Sequence, residues 1–276
     1  MKIYLLILTI SFSFIKGFSN PKTINEVETN KVFVSKERAI TQVQSVDEII
    51  NNYFENTGGL ENWEKIEGVK MSAKINQQGM EIPIEITQLK GGKMMTKINF
   101  QGQEIKQGVF DGEVLWSVNF ISQKAEKKDK EATDMVKNEI GDFPDPFLNY
   151  KEKGYKVELM GNEFVDGVET YKVKLIKKPN IIEGKEVQNI AYYFFDSENF
   201  VPIQVHQEIV IGPSKGMISE IKFSDYDEVG GVYWPFSMLQ GVKGQPGQQI
   251  SFDDIEINPV VDDSEFSFPE ENQNEN

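Results

Sequence analysis

The side chains able to do acid–base or nucleophilic chemistry are few and scattered. His206 is the only histidine in 276 residues, and cysteine is absent. A Ser-His-Asp or Cys-His triad would have to be built on His206, and no G-x-S-x-G elbow marks a nucleophilic serine. In "VPIQVHQEIVI" His206 alternates with Val205 and falls on the polar face of a strand, which predicts an exposed residue. Zinc sites of the usual ligand kinds are excluded by the same counts. Carboxylates do occur in pairs that could share acid and base roles: Asp225 with Asp227, Asp253-Asp254 and Asp262-Asp263. Each pair adjoins a turn or the chain end, where solvated turn residues belong. "DYDEVGG" supplies a fragment of a calcium loop, and Gly58-Gly59 and Gly91-Gly92 lack the context of a phosphate loop. The expectation is a protein that is not an enzyme, with no cofactor and no metal.

What remains is a stock of flexible and aromatic apolar side chains on the apolar faces of inferred strands. They are Met71, Met80, Ile84, Met94, Phe100, Trp116, Tyr192, Phe194, Trp234 and Phe236, with Met238 beside them. Methionine suits irregular or adaptable surfaces, acyl-chain pockets among them. The same residues would serve equally in an ordinary filled core, and the sequence leaves both readings open.

These residues must be positioned by strands. Met80, Ile82, Ile84 and Ile86 alternate with polar neighbours, as do Val114, Trp116, Val118 and Phe120, then Tyr171, Val173 and Leu175, then Val201, Ile203 and Val205. Period-2 alternation of this kind marks antiparallel strands with one side in water. "VFDGEVLW", "FVDGVETY" and "DEVGGVYW" share one design: Asp111-Gly112, Asp166-Gly167 and Gly230-Gly231 tolerate the positive φ of two-residue type I′ hairpin loops. About eleven strands follow from the pattern, and in "QQISFDDIEIN" a change of parity predicts a bulge at Asp253-Asp254. Helical spacing appears in "SVDEIINNYFENTGG", capped by Ser45 or Asp47 and ended by Gly58-Gly59, and again in "LENWEKI". A charged stretch after Phe120, broken by Pro144 and Pro146, reads as one or two helices inserted between strands. So many strands in one sheet must curl. The fold class is therefore mainly β (α+β): a single curled antiparallel sheet forming an incomplete β-barrel, its concave face covered by helices.

The ends and the charge set the context. Residues 1–19, "MKIYLLILTISFSFIKGFS", read as a secretory signal peptide whose apolar stretch is short for a membrane span, so no stable anchor is expected. Residues 20–45 read as a flexible polar linker, 46–269 as the folded domain and 270–276 as a disordered tail. The formal charge of −15 argues against nucleic acid as a partner.

The order of "YFENTGG", "LENWEKIEGVKMSAKINQQGMEIPIEI", "VFDGEVLW", "YYFFDSENFVPIQV", "FSDYDEVGGVYWPFSM" and "DDSEFSFP" resembles the outer-membrane lipoprotein-sorting proteins, the periplasmic LolA/LolB-like group. The resemblance covers most of residues 46–269. It implies a periplasmic carrier whose half-barrel shields lipid or lipoprotein acyl chains, lined by the ten residues named first above, with a lipoprotein-releasing transporter and an outer-membrane acceptor as partners. In the best-known carriers an arginine within the barrel helps hold the helical lid shut. Here the one arginine, Arg38, precedes the first helix, so no residue is carried over for that role. The alternative within the same fold is a sensing module with a filled core and a protein partner.

Overall fold

The computed structural model describes residues 44–77 and 79–269. The expected leader, Arg38, nearly all of the 20–45 linker and the 270–276 tail lie outside the described residues. Helix α1 (Val46–Asn56) opens on a capping box: the Ser45 hydroxyl accepts from Glu48 N while the Glu48 carboxylate accepts from Ser45 N at 2.7 Å. Helix α2 (Leu60–Glu64) follows. Six strands then meander: β1 (Gly68–Gln77), β2 (Met80–Leu89), β3 (Met94–Phe100), β4 (Gln103–Phe110), β5 (Leu115–Val118) and β6 (Ala125–Lys127). Helix α3 (Lys130–Glu139) and a 3-10 turn, Ile140–Asp142, interrupt them. The chain returns through β7 (Lys156–Val165), β8 (Val168–Ile176), the short pair β9 (Asn180–Ile182) and β10 (Lys185–Val187), then β11 (Ile190–Asp196), β12 (Pro202–Glu208), β13 (Ile218–Val229), β14 (Val232–Val242) and β15 (Gln248–Ile257).

Thirteen of these strands form one antiparallel sheet in the order β6-β5-β4-β3-β2-β1-β15-β14-β13-β12-β11-β8-β7, and β9-β10 stand apart. The sheet is not closed into a barrel, since β6 and β7 are its edges. The fold is mainly β, as the alternation predicts. Among the described residues there are fifteen strands against the expected eleven or so, and three of the excess, β6, β9 and β10, have three residues each, too few to show a period.

The turns divide. Asp166 and Gly167 have φ of 50° and 88°, and Gly230 and Gly231 have 59° and 86°, so both pairs form the expected two-residue loops. At Asp111-Gly112 only the glycine has positive φ. There the Asp111 carboxylate accepts from Glu113 N and Val114 N, making a four-residue loop closed by a side chain. The predicted bulge is present: Ser72 faces Asp254 and Ala73 faces Phe252, leaving Asp253 as the extra residue.

The inner face of the sheet carries α1 and α2. Val69, Met71, Ala73 and Ile75 of β1 share it with Ile82, Ile84 and Ile86 of β2, Ile98 of β3, Val173 and Leu175 of β8, Tyr193 and Phe195 of β11, and Trp234 and Met238 of β14. One buried cluster therefore joins both arms of the sheet through the helix between them.

Candidate functional site

Helix α1 reaches the inner face with Ile49, Ile50, Tyr53 and Phe54, at the i, i+1, i+4, i+5 spacing that makes one apolar stripe. Burial of each such side chain contributes roughly 1.5–3 kcal/mol, an upper bound since unfolded chains already bury some surface. The end of α1 is fastened closely. Gly58 has φ of 110°, and a Cβ there would lie 2.1 Å from Gly231 O, so the helix terminus packs backbone to backbone on the β13–β14 hairpin. Tyr233 N donates to Thr57 O at 3.0 Å, and Asn62 Nδ2 donates to Gly58 O and Gly231 O. Trp63 donates from Nε1 to Thr57 O at 3.1 Å and stacks on Trp234, with ring centroids 5.5 Å apart.

The interior is aromatic. Tyr53 meets Phe195 and Trp63 at ring separations of 5.7 and 6.0 Å, and Phe147 meets Tyr193 and Phe195 edge-on at 4.7 and 5.4 Å. Edge-to-face pairs of this kind add roughly 0.5–1.5 kcal/mol each beyond area burial. Two polar atoms inside, Tyr193 Oη and Trp234 Nε1, are buried with no hydrogen-bond partner. Leaving such a group unpaired costs about 1–3 kcal/mol.

A turn carrying two buried carboxylates closes one side. Asp145 accepts from Tyr53 Oη at 3.1 Å and from Phe147 N at 2.8 Å, and Lys153 Nζ donates to its carbonyl at 2.9 Å. Asp142 accepts from Tyr155 Oη at 2.8 Å and pairs with Lys177 Nζ at 2.5 Å, while Glu139 pairs with the same ammonium at 2.8 Å. Asp142, Asp145 and Lys177 are all buried. Burial disfavours the Lys177 charge, but Glu139 and Asp142 outweigh it and hold its pKa above the ordinary lysine value. Lys153 goes the other way: burial lowers it, outweighing the attraction of Asp145 and Asp142. At its free end α1 is tied to the same segment, since Asp47 accepts from Tyr150 Oη and pairs with Lys151 Nζ at 2.9 Å.

The structure distributes the ten sequence candidates over both faces. Met71, Ile84 and Trp234 lie buried on the inner face, with Phe100 and Phe236 half-buried against the same cluster. Met94 is on the inner face too, but beneath α3, with Phe110 and Leu115. Met80 has inner-face parity and stands 50% exposed at the rim. Trp116 faces outward. It packs on Met95, Val109 and Phe266, and its Nε1 donates to Phe266 O at 2.9 Å, because the segment after β15 crosses the outer face and buries it. Tyr192 and Phe194 also face outward: Phe194 pairs across β8 with Lys172 and across β12 with Gln204, its ring 4.9 Å from the His206 ring and 5.2 Å from Lys172 Nζ. His206 keeps its predicted face but is not exposed. It is 8% accessible, wedged against Phe194, with Nε2 2.8 Å from the Glu220 carboxylate. Burial lowers its pKa, partly offset by Glu220.

No family model matches the chain, and no curated protein matches it by sequence. Solved structures do. A DUF1329 family protein from Desulfovibrio piger is 14% identical, with a TM-score of 0.49 over 80% of this chain and 97% of its own. A LolA superfamily protein from Nitrosomonas europaea is 15% identical, with a TM-score of 0.46 over 75% of this chain and 95% of its own. A protein described as an outer-membrane lipoprotein-sorting domain from Vibrio parahaemolyticus is 10% identical, with a TM-score of 0.47 over 79% and 94%. Two of these descriptions name the group that the sequence resembles.

Sequence reasoning places Tyr53 on the apolar stripe of the first helix but does not single out Tyr193, Phe195, Phe147, Asp142, Asp145 or Lys177 as part of the site. In "AYYFFD" every central residue is aromatic, so alternation gives no parity, and Tyr193 and Phe195 were as available as their neighbours. In "GDFPDPF" the aspartates look like turn residues, and only the flanking apolar residues hint that the turn is driven inward.

Proposed function

We propose that the protein binds acyl chains of lipids or lipoproteins on the inner face of its open sheet and is a carrier exported to the periplasm. The observation that supports this most directly is the inner face itself. It is continuous from β4 to β8, apolar, and closed by elements other than sheet: α1, α2 and the segment 143–155. The two unpartnered donors within it, Tyr193 Oη and Trp234 Nε1, suit ester or amide carbonyls. Sequestering an acyl chain is favourable by about 0.8 kcal/mol per CH₂, so displacing one 11-residue helix to admit a long chain is energetically feasible. A carrier of this kind would take its cargo from a lipoprotein-releasing transporter and pass it to an outer-membrane acceptor. No helix among the described residues is long and apolar enough to cross a membrane.

The aromatic packing between α1 and the sheet favours a second reading, a sensing module that keeps this core filled and binds a protein partner. Native mass spectrometry of residues 20–276, purified without detergent from a Gram-negative periplasm, separates them. A carrier shows extra mass, matching a phospholipid or triacylated peptide, that organic extraction removes. A mass that stays that of the bare chain after incubation with lipoprotein sinks the carrier reading.

A further inference from the structure

The acidic residues of this chain are shared unequally between the two ends of the sheet. Five connections lie side by side along one end: residues 119–124 between β5 and β6, 101–102 between β3 and β4, 78–79 between β1 and β2, 243–247 between β14 and β15, and 209–217 between β12 and β13. Register and hydrogen bonds set them beside one another. Ile75 stands opposite both Ile82 and Ile250, Lys243 N donates to Ile218 O at 2.8 Å, and Gln248 Nε2 donates to Asn76 O at 3.5 Å. The chain has 44 acidic residues in 276, about one in six, yet none falls in residues 76–80, 100–103, 119–125, 209–219 or 241–249. This end instead exposes Lys124, Lys215 and Lys243. The connections at the other end hold Asp111, Glu113, Asp166, Glu198, Asp262 and Asp263.

The acid-free end is also tipped with apolar side chains. Ile121 is 96% exposed, Met80 50%, Met217 44% and Ile218 37%. Ile121 is not a loose end. Phe120 beside it packs back on the core, and Ile121 N donates to Asn119 Oδ1 at 2.9 Å, so a turn closed by a side chain holds it outward. Single exposed apolar residues are ordinary on a surface. Apolar tips beside lysines, on connections from which every carboxylate is excluded, match what binds a protein to a bilayer surface: apolar area to bury and attraction to anionic headgroups. The net charge of −15 does not oppose this. β1 runs 10 residues between the two ends, about 33 Å, several times the ~8 Å over which charges are felt at physiological salt.

We propose that this end of the sheet docks reversibly on an anionic phospholipid bilayer. Ile121, Met80 and Met217 enter the interface, Lys124, Lys215 and Lys243 lie against lipid phosphates, and the strands stand up from the membrane with their acidic connections in water. Docking does not rest on what the interior binds, since a filled core presents the same end.

The test sediments sucrose-loaded vesicles with residues 20–276 and measures the protein carried down. Vesicles of equal parts phosphatidylethanolamine and phosphatidylglycerol are expected to bind it, and vesicles of phosphatidylcholine alone to bind it at least tenfold more weakly. Binding is expected to fall at least tenfold at about 0.5 M salt, where the Debye length is only a few Å. Ile121→Asp, at an exposed site and so without effect on the thermal midpoint, is expected to weaken binding at least tenfold. Each lysine near an anionic surface contributes about fivefold, so the triple variant Lys124→Glu, Lys215→Glu and Lys243→Glu is expected to abolish sedimentation. Val260→Asp, at an equally exposed apolar residue of the acidic end, is expected to change nothing. Equal losses in Ile121→Asp and Val260→Asp, undiminished binding by the lysine variant, or no sedimentation of the unaltered chain each overturn the docking surface. A chain that stays in the supernatant yet gains lipid mass in native spectra overturns it and leaves the inner-face reading intact. Sedimentation of a chain whose native mass stays bare supports it and sinks the carrier reading alone.

Discussion

At the scale of single residues the two faces of the sheet give opposite expectations for similar aromatic side chains. Trp116→Ala removes a ring buried between β5 and the segment after β15, and is expected to cost roughly 3–5 kcal/mol in urea unfolding while leaving lipid uptake by the folded fraction unchanged. Phe195→Asp places a charge beside Tyr53 and Phe147, and is expected to abolish uptake. If Trp116→Ala loses uptake while folded, the outer face takes part in binding. His206, as the one histidine, gives an assignable titration. Its imidazole NMR midpoint is expected below 6.5, because burial favours the neutral ring. The unfolded chain then binds the proton more readily, so stability is complete above about pH 6.5 and falls as pH drops toward the folded pKa. His206→Gln is expected to flatten that part of the profile. Trp116 was legible as buried but not as to where, because alternation reports one covered face and the cover of the other comes from residues 150 positions away.

At the scale of elements the helical cover depends on how α1 ends and on how the 142–147 turn is held. Gly58→Ala puts a Cβ into Gly231 O and is expected to destabilise by at least ~2 kcal/mol. Gly59→Ala, at φ of 85° but facing open space, is expected to cost only about 1–2 kcal/mol. Equal effects would mean that the close approach is not maintained in solution. Lys177→Met leaves Asp142 buried without its counter-charge and is expected to cost about 3–5 kcal/mol. Adding Asp142→Asn is expected to restore part of this, a coupling that a double-mutant cycle reads directly. The capped amphipathic stripe of α1 was written in the sequence at Ser45, Glu48, Ile49, Ile50, Tyr53 and Phe54. The Lys177 pairing was not, since it joins residues 35 and 38 positions apart through a turn that leaves no periodic signal.

At the scale of the whole molecule the organising contact is between the ends. β1 pairs with β15 in the middle of the sheet, Val69 opposite Ile257, and every other pairing in the sheet joins strands closer in the chain. Deleting residues 248–276 removes β15 and leaves β1 and β14 without the strand that joins them. Such a chain is expected to lose the cooperative melting transition, followed by near-ultraviolet circular dichroism. A retained single transition would show that the two meanders dock without β15. The meanders were legible because hairpins declare themselves locally, through Asp166-Gly167 and Gly230-Gly231. The closure was not, because a strand's sequence names its own faces and not its distant neighbour.

That closure also sets an order in time. The ribosome makes β1 well before β15, so until β15 emerges the growing chain holds one complete edge of β1 with no partner, flanked by Met71, Ala73 and Ile75. Unpaired apolar edges recruit other chains, and a pairing between residues almost 190 positions apart forms slowly. The newborn polypeptide must therefore be kept apart from its neighbours until β15 is free to pair. Its yield in a cell is expected to depend more on the supply of holding chaperones than on the stability of the finished sheet.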